Sequence, residues 1–145
     1  MFALTGNGDF KVFRSTAGLG LRARKDFKKR DRLVEYTGRK IRNKRADENP
    51  NRYLFELDNR WTIDGSPRTN LARYINHSCK PNAEAVHDEA DNRIYIEAIA
   101  NIRAGDEITY DYGEQHFEQY IEPAGCRCPK CLSRKARRDG RRGSR

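Results

Sequence analysis

Four cysteines are the most chemically committed side chains in this sequence. Cys126, Cys128 and Cys131 fall within six residues, and the only other cysteine, Cys79, lies 47 positions before Cys126. Thiolates at such short spacing can wrap one ion, and zinc takes four soft ligands in a tetrahedron. Three ligands are one short, so the reading assigns Cys79 as the fourth. Four thiolates leave no position for water, which makes this zinc structural. Two disulfides, or four ordinary thiols, are the alternatives. A reducing compartment argues against the first and the tight cluster against the second.

Cys79 sits in a dense run, Arg73-Tyr74-Ile75-Asn76-His77-Ser78-Cys79-Lys80-Pro81-Asn82. An amide, an imidazole, a thiol and a rigid Pro-Asn turn in so few residues mark a candidate site. A second run, Glu107-Ile108-Thr109-Tyr110-Asp111-Tyr112-Gly113, ends an apolar-aromatic strand in a pair of tyrosines.

The elements that must position these groups read as short strands between turns, a mainly-β pattern without internal repeats. Residues 11–15 and 33–36 form strands, with Gly18-Leu19-Gly20 a turn and residues 21–23 a possible continuation of the first. Residues 42–49 are a short helix or a loop that Pro50 ends. Tyr53, Phe55 and Leu57 alternate onto one face, and Asp58-Asn59 turns that strand back into residues 61–64 as a hairpin. Residues 70–74 make one helical turn. Residues 82–86 and 93–99 pair around Asp91-Asn92, with Ile94, Ile96 and Ala98 on one face. Residues 107–110 form the last strand, and 115–122 a short amphipathic helix.

The chain has 145 residues, 36% hydrophobic and 35% charged, which suits one modest core. No apolar run approaches the roughly 20 residues of a membrane helix, and the first residues do not read as a signal peptide. The expected address is therefore intracellular. Arg134, Lys135, Arg137, Arg138, Arg141, Arg142 and Arg145 against Asp139 give the last twelve residues +6 of the total +9, leaving +3 for residues 1–133. Residues 134–145 read as a disordered basic tail, either solubilising or a weak grip on nucleic acid. His87 and His116 read as surface residues.

In four places the sequence resembles the SET-domain family of protein lysine methyltransferases. Gly18-Leu19-Gly20 is similar to the family's glycine-rich first motif, and Tyr36-Thr37-Gly38 to its Tyr-x-Gly second. Residues 73–79 resemble the third, Arg-Phe-x-Asn-His-Ser-Cys, and residues 107–112 the fourth, Glu-Leu-x-Phe/Tyr-Asp-Tyr. Residues 126–131 look like the cysteine-rich post-SET segment. The order of the motifs carries more than any one of them. Singly, strand tyrosines most often fill a core and glycines a turn.

The resemblance implies a β-clip SET fold of small curved antiparallel sheets, with the fourth motif threaded beneath the loop after the third as a C-terminal pseudoknot. It divides the chain into a SET domain at 1–113, a post-SET zinc-binding segment at 114–133 and the tail at 134–145. It implies methyl transfer from S-adenosyl-L-methionine to a lysine of a protein, plausibly a histone or another basic chromatin protein. In this carry-over Tyr112 is the catalytic tyrosine, and Tyr36 and Tyr53 wall the lysine channel. Asn76, His77, Arg73, Gly18, Leu19, Gly20 and Arg14 contact the donor. Tyr110, at a Phe/Tyr position, implies chiefly mono-methylation. A histone substrate implies the nucleus or chromosome of a eukaryote; a bacterial chain would be cytoplasmic. No membrane partner is implied.

One departure stands out. The last two cysteines are separated by two residues where many relatives have four, so the metal loop is tighter. Two other readings remain beside the enzyme, namely an idle SET module that binds peptide and a zinc-stabilised nucleic-acid binder. Positive histones also call for acidic residues by the cleft, with Asp58, Asp64, Glu84 and Asp88 the candidates.

Overall fold

The computed structural model of the chain describes residues 8–113, 120–121, 125–126, 128 and 130–132. Gly8 and Asp9 lead into an antiparallel hairpin, β1 (Phe10–Ser15) and β2 (Gly18–Ala23), in register from Phe10 opposite Ala23 to Ser15 opposite Gly18. The glycine motif therefore lies in a strand; the turn falls one step earlier, at Thr16 and Ala17. The Ser15 hydroxyl closes that turn by donating to the Gly18 carbonyl and accepting from the Ala17 amide. A serine can do this through its own side chain, which the turn chemistry of glycine had obscured.

β3 (Arg32–Tyr36) leads through Thr37-Gly38 into β4 (Arg39–Arg42), a strand its basic composition had hidden. Gly38 is required there, since a Cβ would stand 2.0 Å from the Asp64 carbonyl oxygen. The short helix α1 (Asn43–Glu48) follows and buries only Ala46. β5 (Leu54–Glu56) and β6 (Trp61–Asp64) form the expected hairpin, turned by Asp58, whose carboxylate accepts from the amides of Arg60 and Trp61. Three strands make one sheet in the order β4-β6-β5.

After a 3-10 turn (Leu71–Tyr74) come β7 (Asn76–His77), β8 (Ala83–Asp88), β9 (Arg93–Ala98) and β10 (Thr109–Tyr110). With β3 they form a five-stranded sheet in the order β3-β9-β8-β10-β7. The sheet is mixed rather than purely antiparallel. β10 runs parallel to both its neighbours, with Thr109 opposite Asn76 and Tyr110 opposite His77 and Ala83. The last strand has slid between two strands that are consecutive in sequence, as the pseudoknot requires.

The Asn82 side chain holds it there. Its amide donates to the Glu107 carbonyl at 2.8 Å and accepts from the Thr109 amide at 2.9 Å, so one side chain supplies what a strand backbone would. Beneath lies the core, where Ile94, Ile96 and Ala98 of β9 meet Leu21, Ile75, Ile102 and Ile108. Each large aliphatic side chain buried this way is worth about 1.5–3 kcal/mol. Tyr95, on the opposite face of β9, is buried as well, under the Arg32 guanidinium 3.9 Å from its ring centre.

The expected helix over 115–122 falls outside the described residues except for Tyr120 and Ile121. The tail at 134–145 and His116 also lie outside them. His87 is exposed. No helix among the described residues is long and apolar enough to cross a membrane.

Candidate active site

Threading β10 under the loop after β7 brings the third and fourth motifs into contact. The Tyr112 amide donates to His77 Nδ1 at 3.1 Å, and the Tyr112 hydroxyl donates to the Ile75 carbonyl. The first bond fixes the neutral imidazole with its proton on Nε2, which faces Cys79 Sγ at 3.6 Å. The second uses the only proton of the phenol and leaves its oxygen lone pairs as acceptors.

Tyr112 packs against Tyr110 with ring centres 4.8 Å apart, and Tyr36 against Phe55 at 5.2 Å. The Tyr36 hydroxyl is anchored on the Tyr53 carbonyl at 2.6 Å. These five aromatic residues line a cleft of about 920 Å³. Burial pushes the Tyr36, Tyr110 and Tyr112 phenols well above their ordinary value, with the Arg52 charge drawing Tyr112 partly back. All three are neutral at physiological pH, so they act as hydrogen-bonding groups and not as phenolate bases.

The cleft is also lined by Gly18, Leu19, Arg73, Tyr74 and Asn76. The Asn76 amide nitrogen lies within hydrogen-bond distance of Ser15 Oγ, the Leu19 carbonyl and Glu107 Oε2, at 3.0, 3.1 and 2.9 Å. This one side chain ties the glycine strand to the fourth motif. Gly20 makes the arrangement possible, because a Cβ there would sit 2.6 Å from Glu107 Oε2 and 3.0 Å from Asn76 Nδ2. The Arg73 guanidinium is held over the Tyr53 and Tyr74 rings, 4.4 and 5.4 Å from their centres, and donates to the Ser66 carbonyl. Its Nε is buried with no partner among the described residues.

Three expected contacts stand back from the cleft. Arg14 is exposed on β1, Gly20 is buried under Glu107, and His77 lies behind the wall, reaching Tyr112 on one side and Cys79 on the other. Asp58, Asp64, Glu84 and Asp88 do not line the cleft; among the described residues its acidic members are Asp47 and Glu56. Asp58 is spent on the β5–β6 turn, and Asp88 stands beside Arg32 at 3.4 Å, away from the cleft. Ser15 and Glu107 were not singled out beside the donor contacts. Glu107 opens a motif and could have been noticed, whereas nothing in the sequence marks Ser15.

The four cysteines converge. Their sulfurs all lie within 4.8 Å of one another, and those of Cys79 and Cys131 are 3.6 Å apart. Thiolates about 2.3 Å from a tetrahedral zinc stand about 3.8 Å apart, so even with the shortened spacing the four sulfurs are close enough to hold an ion. Desolvation holds the Cys126 thiol well up and brings Cys79 to about 11. Cys128 falls to about 6 despite its desolvation, because backbone and thiol hydrogen bonds from Cys79, Cys131 and Cys126 favour its thiolate. A cluster sharing its protons so unequally invites a cation to replace them.

The SET domain profile matches residues 18–113. This chain belongs to the SET-domain family. It is 40% identical over 121 residues to human Histone-lysine N-methyltransferase 2D and 39% over 125 residues to Drosophila melanogaster Histone-lysine N-methyltransferase trr. It is 36% identical over 126 residues to the Schizosaccharomyces pombe protein named Histone-lysine N-methyltransferase, H3 lysine-4 specific. These alignments take in 77%, 79% and 78% of this chain, but only 2%, 5% and 13% of the relatives.

Proposed function

We propose that the chain transfers a methyl group from S-adenosyl-L-methionine to a lysine amine of a protein, with a histone the first substrate to test. The observation that carries this reading is the Tyr112 phenol, its proton committed to the Ile75 carbonyl, among the aromatic residues of a cleft that Gly18, Leu19 and Asn76 also line. The relatives' names point the same way and make lysine 4 of H3 the first residue to examine. Such a substrate would put the chain on chromatin in a eukaryotic nucleus.

The residues present suit the donor. A cleft of about 920 Å³ accommodates a nucleoside-sized ligand, and Gly18 leaves its wall without a side chain at that position. Gly18, Leu19, Arg73 and Asn76 would hold it, with Gly20 and His77 supporting them from behind. Arg14 would reach it only from the exposed face of β1. The cofactor supplies an electrophilic methyl and a positive charge that disfavours a cationic acceptor.

The chain's own part begins with the amine. Free lysine, with a pKa of about 10.4, is neutral only on the order of one time in a thousand at pH 7. Tyr36, Tyr53, Phe55, Tyr110 and Tyr112 make a channel wall that withholds water from the ammonium and so favours its neutral form. None of the buried phenols takes the proton, which leaves to solvent before the amine is seated. The Tyr112 oxygen accepts an N–H and aims the remaining lone pair down the channel. Alignment of this kind removes much of a displacement barrier. Tyr110 has no hydrogen bond to its hydroxyl among the described residues, and a water held there would crowd an amine that already carries a methyl. Mono-methylation is the expected outcome.

The four cysteines would hold one zinc ion. That ion would fasten residues 126–131 to Cys79, two residues from His77, and so steady the wall on which Tyr112 rests. Incubation with labelled donor and a panel of histones, nucleosomes and whole lysate tests the reading. Label should enter protein lysine with the native chain and fall at least ~100-fold with Tyr112→Phe. No labelling of any protein by the native chain would sink it.

A further inference from the structure

The cations of this molecule are not treated alike. On the five-stranded sheet Arg32 is paired with Glu97 and Asp88 and Arg93 with Glu35, and beside the β1–β2 hairpin Lys25 is paired with Asp9, while Lys28, Lys29 and Arg103 elsewhere make no ion pair among the described residues. The three-stranded sheet differs. Its edge strand β4 carries Arg39, Lys40 and Arg42, and α1 continues at once with Lys44 and Arg45. Arg60 joins them, because its carbonyl accepts the Asn43 amide at 3.0 Å. All six side chains are exposed, and among the described residues none makes an ion pair. Asp47 and Glu48 follow on α1, but Asp47 lines the cleft instead.

Six unpaired cations on contiguous backbone repel one another and raise the local potential, a cost that a polyanion reverses by displacing its own counterions. Arg42 is also held in place, its guanidinium 4.5 Å over the Trp61 ring. A guanidinium stacked on one face keeps its edge N–H groups free for phosphate oxygens. We infer that the outer surface formed by β4, the start of α1 and Arg60 docks the phosphate backbone of duplex DNA.

The choice of DNA rests on the methyltransferase reading. Helix α1 walls the cleft with Ala46 and Asp47 while Lys44 and Arg45 face outward. Duplex bound outside would lie about one helix diameter, ~10 Å, from the cleft. A basic protein packed on DNA would then present its lysine to a basic enzyme without long-range repulsion, since the DNA supplies the attraction.

The experiment is anisotropy of a labelled duplex titrated with the full chain over a range of salt. The substituted chain carries Arg42→Gln, Lys44→Gln and Arg45→Gln. The control, with the same loss of charge at an exposed site elsewhere, carries Lys28→Gln, Lys29→Gln and Arg103→Gln. The first should weaken binding at least ~10-fold at moderate salt and flatten the log K against log salt slope by roughly two to three. The control should change binding less than ~3-fold. Equal loss in both, or none in the first, overturns the inference. A second pair, Lys40→Gln with Arg60→Gln, repeats the comparison should the triple fail to fold. Binding is read without turnover, so the result stands apart from methyl transfer. If the proposed activity holds, the triple should still methylate a short free peptide.

Discussion

Tyr112 and Tyr110, packed side by side in the cleft, differ in what their hydroxyls touch. The Tyr112 proton is committed to Ile75, so its oxygen can only accept; the Tyr110 hydroxyl has no such commitment among the described residues. Replacing Tyr110 by Phe removes the group that could hold a water. The expected product then shifts from mono- toward di- and trimethyl-lysine in mass spectra of product peptides, with the first transfer slowed less than ~10-fold. Burial also protects the phenols in alkali. The folded chain holds the protons of Tyr36, Tyr110 and Tyr112 more tightly than free tyrosine does. Their contribution to stability is therefore whole below about pH 10 and is lost as pH climbs through the raised folded values. Phenolate absorbance should show at most four of the seven tyrosines ionising before the chain unfolds.

At the level of elements, β10 is a two-residue strand between two others, too short to hold its place by ladder bonds alone. Asn82 compensates by pairing with both Glu107 and Thr109. Asn82→Ala strands a backbone donor and an acceptor and should cost about 2–4 kcal/mol in denaturant unfolding, with faster hydrogen exchange at the Thr109 amide. Asn82→Asp keeps the acceptor for Thr109 and should cost less. The same strand carries Tyr110 and leads into Tyr112, so loosening it should lower transfer even in the fraction that stays folded. The glycine strand β2 depends on β10 in turn, since Glu107 holds Asn76 and Asn76 holds Leu19.

Across the whole molecule, the cysteine cluster is the link between the C-terminal residues and the threaded centre. Cys79 stands two positions from His77, whose Nε2 approaches its sulfur and whose Nδ1 receives the Tyr112 amide. Binding zinc must displace the protons that Cys79 and Cys126 hold tightly, so affinity should rise with pH and binding should release protons. Native mass spectrometry should find one zinc per chain. Chelation should lower the thermal midpoint by about 5 °C or more and weaken donor binding, both restored by added zinc. The +9 charge is spread unevenly too, with Arg32 and Arg93 paired on the five-stranded sheet and six exposed cations without an ion pair, among the described residues, at the β4 edge of the other.

Residue types and short-range pattern were enough for the strands around Leu33, Phe55 and Ile96, for the hairpin turned by Asp58, and for the four cysteines as one cluster. The motif order supplied the family. What composition hid was β4, because a basic edge strand has no apolar alternation to reveal it. Ser15 was equally silent, and Asn82 read only as part of a turn, since a serine or asparagine in a loop looks the same whether it bonds water or a strand 25 residues away. Only tertiary structure decided that His77 Nδ1 receives the Tyr112 amide 35 residues on, and that the cleft's carboxylates among the described residues are Asp47 and Glu56. Contacts between residues far apart along the chain gain their energy only once the chain has been threaded.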